Sequence, residues 1–294
     1  MNAILVTGGA GRVGREVAVA LAARGHHVRA FDLSSCDFGP LEGHSGLEIA
    51  CGDIRDQDAV RQAVAGVDAA VHLAALLPPA SERDRQATLE INAQGTANLV
   101  GALAQANHEA RLVLSSSVCV YGDTSAAAPP VRTTWPTRAT DIYAESKIAA
   151  ERAVMATRLP HVVLRVSGVS VPAFLEPPAI WPFQPEQRIE FICRTDVVSA
   201  LVAAVEARSV TRRVWNIAGG PTWRMLGREY VAAFNAVWDL PPNEGRYLEH
   251  PGYFDWYDTA ESQAALEYQR TPFPRFLELL EAAIEQALGG EEEP

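Results

Sequence analysis

Residues 3–14 read AILVTGGAGRVG, and the reading of this stretch decides the fold. Ala3 to Thr7 is a short apolar run ended by glycines, which reads as a buried strand. Gly8, Gly11 and Gly14 then recur at the spacing that serves a tight turn, a close approach to a pyrophosphate and a close helix–strand contact. Helical spacing from Val13 to Arg24, stopped by Gly25, places a helix N-terminus just after the glycines. Its free N–H groups and positive dipole end suit phosphates. A Gly-rich loop alone is a weak signal, because glycines also make structural turns. Here a second apolar strand, Val28 to Phe31, ends at Asp32, 18 residues past Gly14. A carboxylate there would accept hydrogen bonds from adenosine ribose hydroxyls and repel a 2′-phosphate, so NAD is the expected cofactor. Arg12, within the loop, could meet a 2′-phosphate and leaves NADP open.

Working outward, apolar strands are expected at Ala69–Leu73, Arg111–Ser115 and Val162–Val166. Helical stretches lie between them at Gln57–Val64, Glu82–Ala106 and Ile142–Ala156. Strands alternating with helices predict right-handed βαβ units and an α/β fold with a doubly wound parallel (Rossmann) sheet. The texture changes near residue 172, where Pro172, Pro177, Pro178, Pro182 and Pro185 cluster. We expect a dinucleotide-binding domain over residues 1–171, completed by about 191–218 through a helix Asp196–Arg208 and a strand Val214–Ile217. Residues 172–190 and 219–294 should form a small C-terminal substrate-binding cap ending in a helix, Phe273–Leu288, and a frayed acidic tail.

Lys147 is the only lysine among 25 Lys+Arg residues, and it lies four residues after Tyr143. On a helix, i and i+4 share a face. An ammonium about 4 Å from a phenol contributes roughly 4 kcal/mol at an effective dielectric of about 20. That would lower the phenol pKa toward the operating pH. A surface Tyr–Lys pair is the bland alternative, and the spacing alone does not choose.

The chain has 294 residues, 48% hydrophobic and 21% charged, as a globular protein does, with a net charge of −11 that disfavours nucleic acid and anionic membranes. Cys36, Cys51, Cys119 and Cys193 are dispersed with no C-x-x-C, as in a reducing, cytoplasmic setting, and no metal site is expected. No signal peptide and no membrane span are expected.

At this point the chain resembles the extended short-chain dehydrogenase/reductase family, in its NAD-dependent epimerase/dehydratase group. The resemblance rests on TGGAGRVG at 7–14, Gly52-Asp53-Ile54, HLAA at 72–75, and N-x-x-G-T-x-N-L from Asn92. It continues through SSSVCVYG at 115–122, Y-x-x-x-K from Tyr143, T-D-V at 195–197 and W-N-I-A-G-G at 215–220. It implies Tyr143 as acid/base and Lys147 as its activator and ribose ligand. Ser117 would hydrogen-bond the reacting oxygen, Asp53 and Ile54 would touch adenine, and Leu73, Ala74 and Ala75 would lie under the cofactor. Asn92 would sit near the active site, unless it is simply a buried hydrogen-bonded Asn. Ser115 and Ser116 are expected to be strand-end backbone caps, and His72 a core histidine. A homodimer through the helices 82–106 and 142–156 is also implied.

Departures from the family narrow the substrate. The Asp-Glu pair of 4,6-dehydratases is replaced by Val118 and Cys119. The stretch between Val166 and Asp196 is short and proline-rich, and a diphosphate-clamping Arg aligns with Ile189. A compact, sugar-like or polyketide-like small molecule without a diphosphate fits better. Trp135, Trp181, Arg188, Arg224, Arg246 and Trp256 are candidate contacts, each more simply explained by packing or solvation. The leading expectation is an NAD(P)-dependent oxidoreductase of a CH–OH/C=O carbon. A 4-epimerase and a non-catalytic dinucleotide sensor are the alternatives.

Overall fold

The computed structural model describes residues 2–126, 128–207 and 209–289; the acidic tail lies outside them. Seven parallel strands form the central sheet: β1 (Ala3–Thr7), β2 (His27–Asp32), β3 (Leu47–Cys51), β4 (Ala69–His72), β5 (Arg111–Ser117), β6 (His161–Val166) and, late in the chain, β10 (Arg213–Ile217). Their order across the sheet is β10-β6-β5-β4-β1-β2-β3. The order reverses beside β1, so the crevice at the C-terminal end of β1 and β4 is the topological switch point, where ligands of such sheets bind.

Continuous apolar strands are explained by burial on both faces. Ile4 and Val6 point to one side, where α1 (Arg12–Ala23) and α6 (Arg194–Glu206) pack through Val17, Leu21, Leu201 and Val205. Leu5 points to the other, among Phe31 of β2 and Val60, Leu99, Leu103 and Val154 from α2 (Gln57–Ala63), α4 (Gly95–Ala106) and α5 (Ile142–Met155). Each such fully buried side chain contributes about 1.5–3 kcal/mol.

The cap has its own aromatic core. Small strands β7 (Val169–Ser170) and β9 (Ile192–Cys193) pair with each other, and β8 (Arg188–Glu190) pairs with β11 (Arg224–Leu226). With α7 (Gly227–Val237), α8 (Ala260–Leu266) and α9 (Phe273–Gly289) they complete the chain. Trp181, Phe183, Phe191, Tyr230 and Phe234 meet mostly edge to face. Trp223 packs on Phe273 and Phe276.

One expected helix is absent as a unit. Residues 82–106 divide into a 3-10 turn (Ala80–Glu82), a short α3 (Arg85–Thr88), a π-helical turn (Leu89–Gln94) and α4. Asp84 restarts the helix by accepting from the Ala87 N–H. The wide turn coincides with Asn92, whose carbonyl also accepts from the Thr96 hydroxyl at 2.5 Å. Side-chain insertion of this kind is an ordinary cause of a break in the α ladder.

Candidate functional site

The loop after β1 is built around clearances that only glycine satisfies. Gly8 has φ +70°, and a Cβ there would lie 2.8 Å from the Ala74 backbone nitrogen. A Cβ on Gly14 would lie 2.0 Å from the Gly8 carbonyl oxygen, so α1 can approach the loop only without a side chain. Gly11 caps α1 without a side-chain hydrogen bond, and the first turn contains no acid, leaving its N–H groups and dipole to an outside anion. A cavity of about 480 Å³ opens in front of this terminus. Gly8, Gly11, Arg12, Val13, Gly14, Asp32, Asp53, Ile54, Leu73, Ala74 and Ala75 all line it. The shape and donor set fit a dinucleotide: glycine backbone and a helix N-terminus for phosphates, and a carboxylate where β2 ends.

Asp32 is held facing the loop, its Oδ2 accepting from the Ala10 N–H at 3.1 Å and its Oδ1 from the Leu33 N–H at 2.9 Å. Asp53 accepts from Arg55 through both carboxylate oxygens, and those bonds hold its pKa below the ordinary carboxylate value. Its carboxylate is therefore partly engaged before any adenine contact. Ile54 is buried and lies against Gly95.

Asn92 does not line the cavity. It is buried and hydrogen-bonded on every side: Oδ1 accepts from the Leu76 N–H at 2.7 Å, and Nδ2 donates to the Leu76 carbonyl and to the Ser146 hydroxyl. It ties the cavity-lining segment 73–77 to α5, which is the simpler of its two expected readings. His72 is likewise a core residue. It bridges Thr7 and Thr96, and burial pushes its pKa down to about 3.

Tyr143 and Lys147 share the inner face of α5 and are buried, 8% and 5% exposed. The Lys147 ammonium lies 5.6 Å from the centre of the Tyr143 ring and donates to the Ser115 carbonyl at 3.0 Å. Ser117 ends β5, and its hydroxyl accepts from the Cys119 N–H at 3.2 Å. One expectation needs correcting. Burial raises the Tyr143 pKa well above the ordinary phenol value, with Cys119, Tyr253 and Asp141 adding to the rise. Burial also lowers Lys147 to about 8. Desolvation is the largest cause of both shifts and sets their direction. Ser116 also differs from its expected backbone-cap role. Its hydroxyl donates to Glu151 at 2.6 Å, and Glu151 holds the guanidinium of Arg165, both being buried. Glu151 lies four residues past Lys147, so helical spacing could have flagged it.

The candidate substrate residues are mostly engaged within the protein. Arg188 pairs with buried Asp255, and Arg224 with fully buried Glu190. Trp181 is buried among Phe183, Tyr230 and Phe234. Trp256 donates to the Met225 carbonyl, Trp135 is half-buried, and Arg246 is exposed. Ile189 is fully buried and pairs with Met225 of β11. The packing reading therefore holds for both paired arginines and for Trp181.

A profile of the NAD dependent epimerase/dehydratase family matches residues 4–172. A 3-beta-hydroxysteroid dehydrogenase of Mycolicibacterium neoaurum is 33% identical over 186 residues, 62% of this chain and 48% of that protein. A UDP-glucose 4-epimerase of Streptomyces lividans is 33% identical over 174 residues, 58% of this chain and 51% of that protein. The chain thus spans about half the length of the curated relatives it matches. A short-chain dehydrogenase/reductase superfamily protein of Agrobacterium tumefaciens, solved with bound NAD, superposes with a TM-score of 0.82 at 23% identity, covering 99% of both chains. The fold, the glycine loop and the matched residues together make this chain a member of the NAD dependent epimerase/dehydratase family.

Proposed function

We propose that the protein is an NAD-dependent oxidoreductase that interconverts CH–OH and C=O on a compact substrate lacking a diphosphate. The observation that carries this reading is the pairing of Tyr143 and Lys147, buried on one face of α5 beside the end of β5. When bound, NAD would supply the hydride acceptor or donor. The first turn of α1 and the backbone of Gly8 and Gly11 would hold the pyrophosphate. Asp32 would take the adenosine ribose hydroxyls and disfavour NADP. Lys147 would hold the nicotinamide ribose, Ser117 would orient the reacting oxygen, and Tyr143 would take or return its proton. In the reductive direction Tyr143 would donate its proton to the developing alkoxide. Oxidation needs Lys147 to act as a full cation once ribose hydroxyls replace part of its lost solvation.

The internal pairing of Arg188 and Arg224 argues for a substrate without a diphosphate, because the charge of each is already met by a buried carboxylate. The UDP-glucose 4-epimerase relative favours a second reading, in which the same residues epimerise a carbinol with no net cofactor change. We further propose a cytoplasmic homodimer through α4 and α5, whose small residues permit close packing. Among the described residues no helix is long and apolar enough to cross a membrane. The test is a screen of purified protein with NAD and NADP against sugar, uronate, polyketide-like and 3β-hydroxysteroid alcohols. Net change in nicotinamide absorbance with one class supports the oxidoreductase. An epimeric product without such a change supports the second reading.

A further inference from the structure

Helix α5 begins with N–H groups that need acceptors, and a distant carboxylate supplies most of them. Glu82 accepts from the Ile142 N–H through Oε2 and from the Tyr143 N–H through Oε1, both at 3.0 Å. Asp141 takes the Ala144 N–H at 2.6 Å, and its carbonyl takes that of Glu145. The first three N–H groups of the helix are thereby accounted for, two of them by Glu82, and the Glu145 bond is the first within the helix itself. Glu82 lies on the segment that leaves the cofactor cavity at Leu77, returns to its lining at Ile91 and ends at the buried Asn92. That segment has further ties to α5, through Arg85 to Glu145 at 3.0 Å and Asn92 to Ser146 at 2.9 Å.

We infer that Glu82 is a positioning residue: it clamps the first turn of α5 and so couples the cavity-lining segment to the placement and acidity of the Tyr143 phenol. This rests on the reading of Tyr143 as the acid/base. The clamp grips the backbone of Tyr143 itself, so a shift of the 77–82 segment on cofactor binding is transmitted to the residue that moves the proton. Its charge also counts. The other groups facing the phenol are Lys147 and Asp141 from its own helix, Cys119 after β5 and Tyr253 from the cap. Glu82 acts on two members of this set, Asp141 and Tyr253, as a neighbouring negative charge, and it occupies N–H dipoles that would otherwise favour a phenolate.

The test compares Glu82→Gln and Glu82→Ala with wild type, all saturated with NAD. Tyrosinate absorbance is titrated for each protein with and without Tyr143→Phe, so that the difference reports Tyr143. The midpoint should fall by about half a pH unit in Glu82→Gln, because a full carboxylate no longer neutralises the N–H dipoles at the start of the helix. Amide exchange at Ile142 and Tyr143 should quicken by about tenfold in Glu82→Ala. Turnover of the alcohol found active in the screen should drop several-fold, while the KM for NAD stays within about twofold. A midpoint that does not move overturns the inference, even if melting temperature falls, because loss of stability alone is what a merely structural cap would give. Unchanged exchange at both amides overturns it independently. If Tyr143→Phe retains turnover, the acid/base reading fails, and the exchange result still decides whether Glu82 clamps the helix.

Discussion

Two glycines of one loop should respond differently to the same added methyl group. At Gly14, a Cβ would meet the Gly8 carbonyl oxygen at 2.0 Å and the Gly9 Cα at 3.0 Å. Ordinary contact begins near 3.4 Å, so α1 must retreat from the loop by more than 1 Å. Backbone is on both sides, with no flexible side chain to give way. Gly14→Ala should therefore cost the upper range of an overpacked site, about 3 kcal/mol or more. For a chain of this size that lowers the melting temperature by roughly 5 °C. At Gly11, φ is −68° and ψ 159°, which alanine adopts freely, and the nearest atom to a Cβ is the Gly8 oxygen at 3.1 Å. Gly11→Ala should cost under about 1 kcal/mol of stability, the scale of a changed N-cap. Its methyl, however, stands where the pyrophosphate would meet the helix, so NAD affinity should fall by about tenfold or more, equivalent to about 1.4 kcal/mol. Thermal melts and isothermal calorimetry with NAD separate the two effects. If Gly11→Ala binds NAD as the wild type does, the loop is a structural turn and the cofactor reading of the cavity is wrong.

Other consequences can be checked with the same protein. Wild type should bind NADH at least about tenfold more tightly than NADPH, through Asp32; calorimetry favouring NADPH would turn attention to Arg12. Lys147 has a folded pKa of about 8, below its unfolded 10.5. The unfolded chain thus binds the extra proton between those values. Stability of the cofactor-free protein should rise with pH through that window, and below it the buried ammonium costs roughly 3 kcal/mol. Lys147→Met should accordingly melt higher at neutral pH while losing turnover, and Lys147→Arg should not restore activity, because a planar guanidinium cannot take the same contacts. His72, held near 3 against an ordinary 6.5, should make stability fall as the pH drops through that range, and a urea midpoint series should lose this acid limb in His72→Gln. Light scattering at micromolar concentration should give a dimer, and a monomer would remove α4 and α5 as an interface.

The central sheet was legible because its strands are apolar on both faces and its glycines are punctuation. Ala3–Thr7 is found as expected, and α2, α5 and α6 differ from their expected ranges by one or two residues. β3 was not legible: Leu47–Cys51 is a largely exposed edge strand without the apolar run that marked the others. The broken helix over 82–106 was not legible either. The wide turn coincides with Asn92, whose side chain bonds Leu76, 16 residues away, and no local pattern encodes that contact. In the site, spacing brought Tyr143 and Lys147 to one face, but it could not show that burial would dominate both titrations. Glu82 carried no sequence signal at all, because its partners lie 60 residues further along.

The central claim is that Tyr143 moves the proton. It is tested most directly by steady-state nicotinamide turnover of Tyr143→Phe on the alcohol identified by the screen, with NAD affinity measured alongside. The account predicts a loss of roughly 10²–10⁴-fold in turnover, the worth of a positioned acid/base, with NAD binding nearly unchanged. Wild-type turnover in Tyr143→Phe would contradict it.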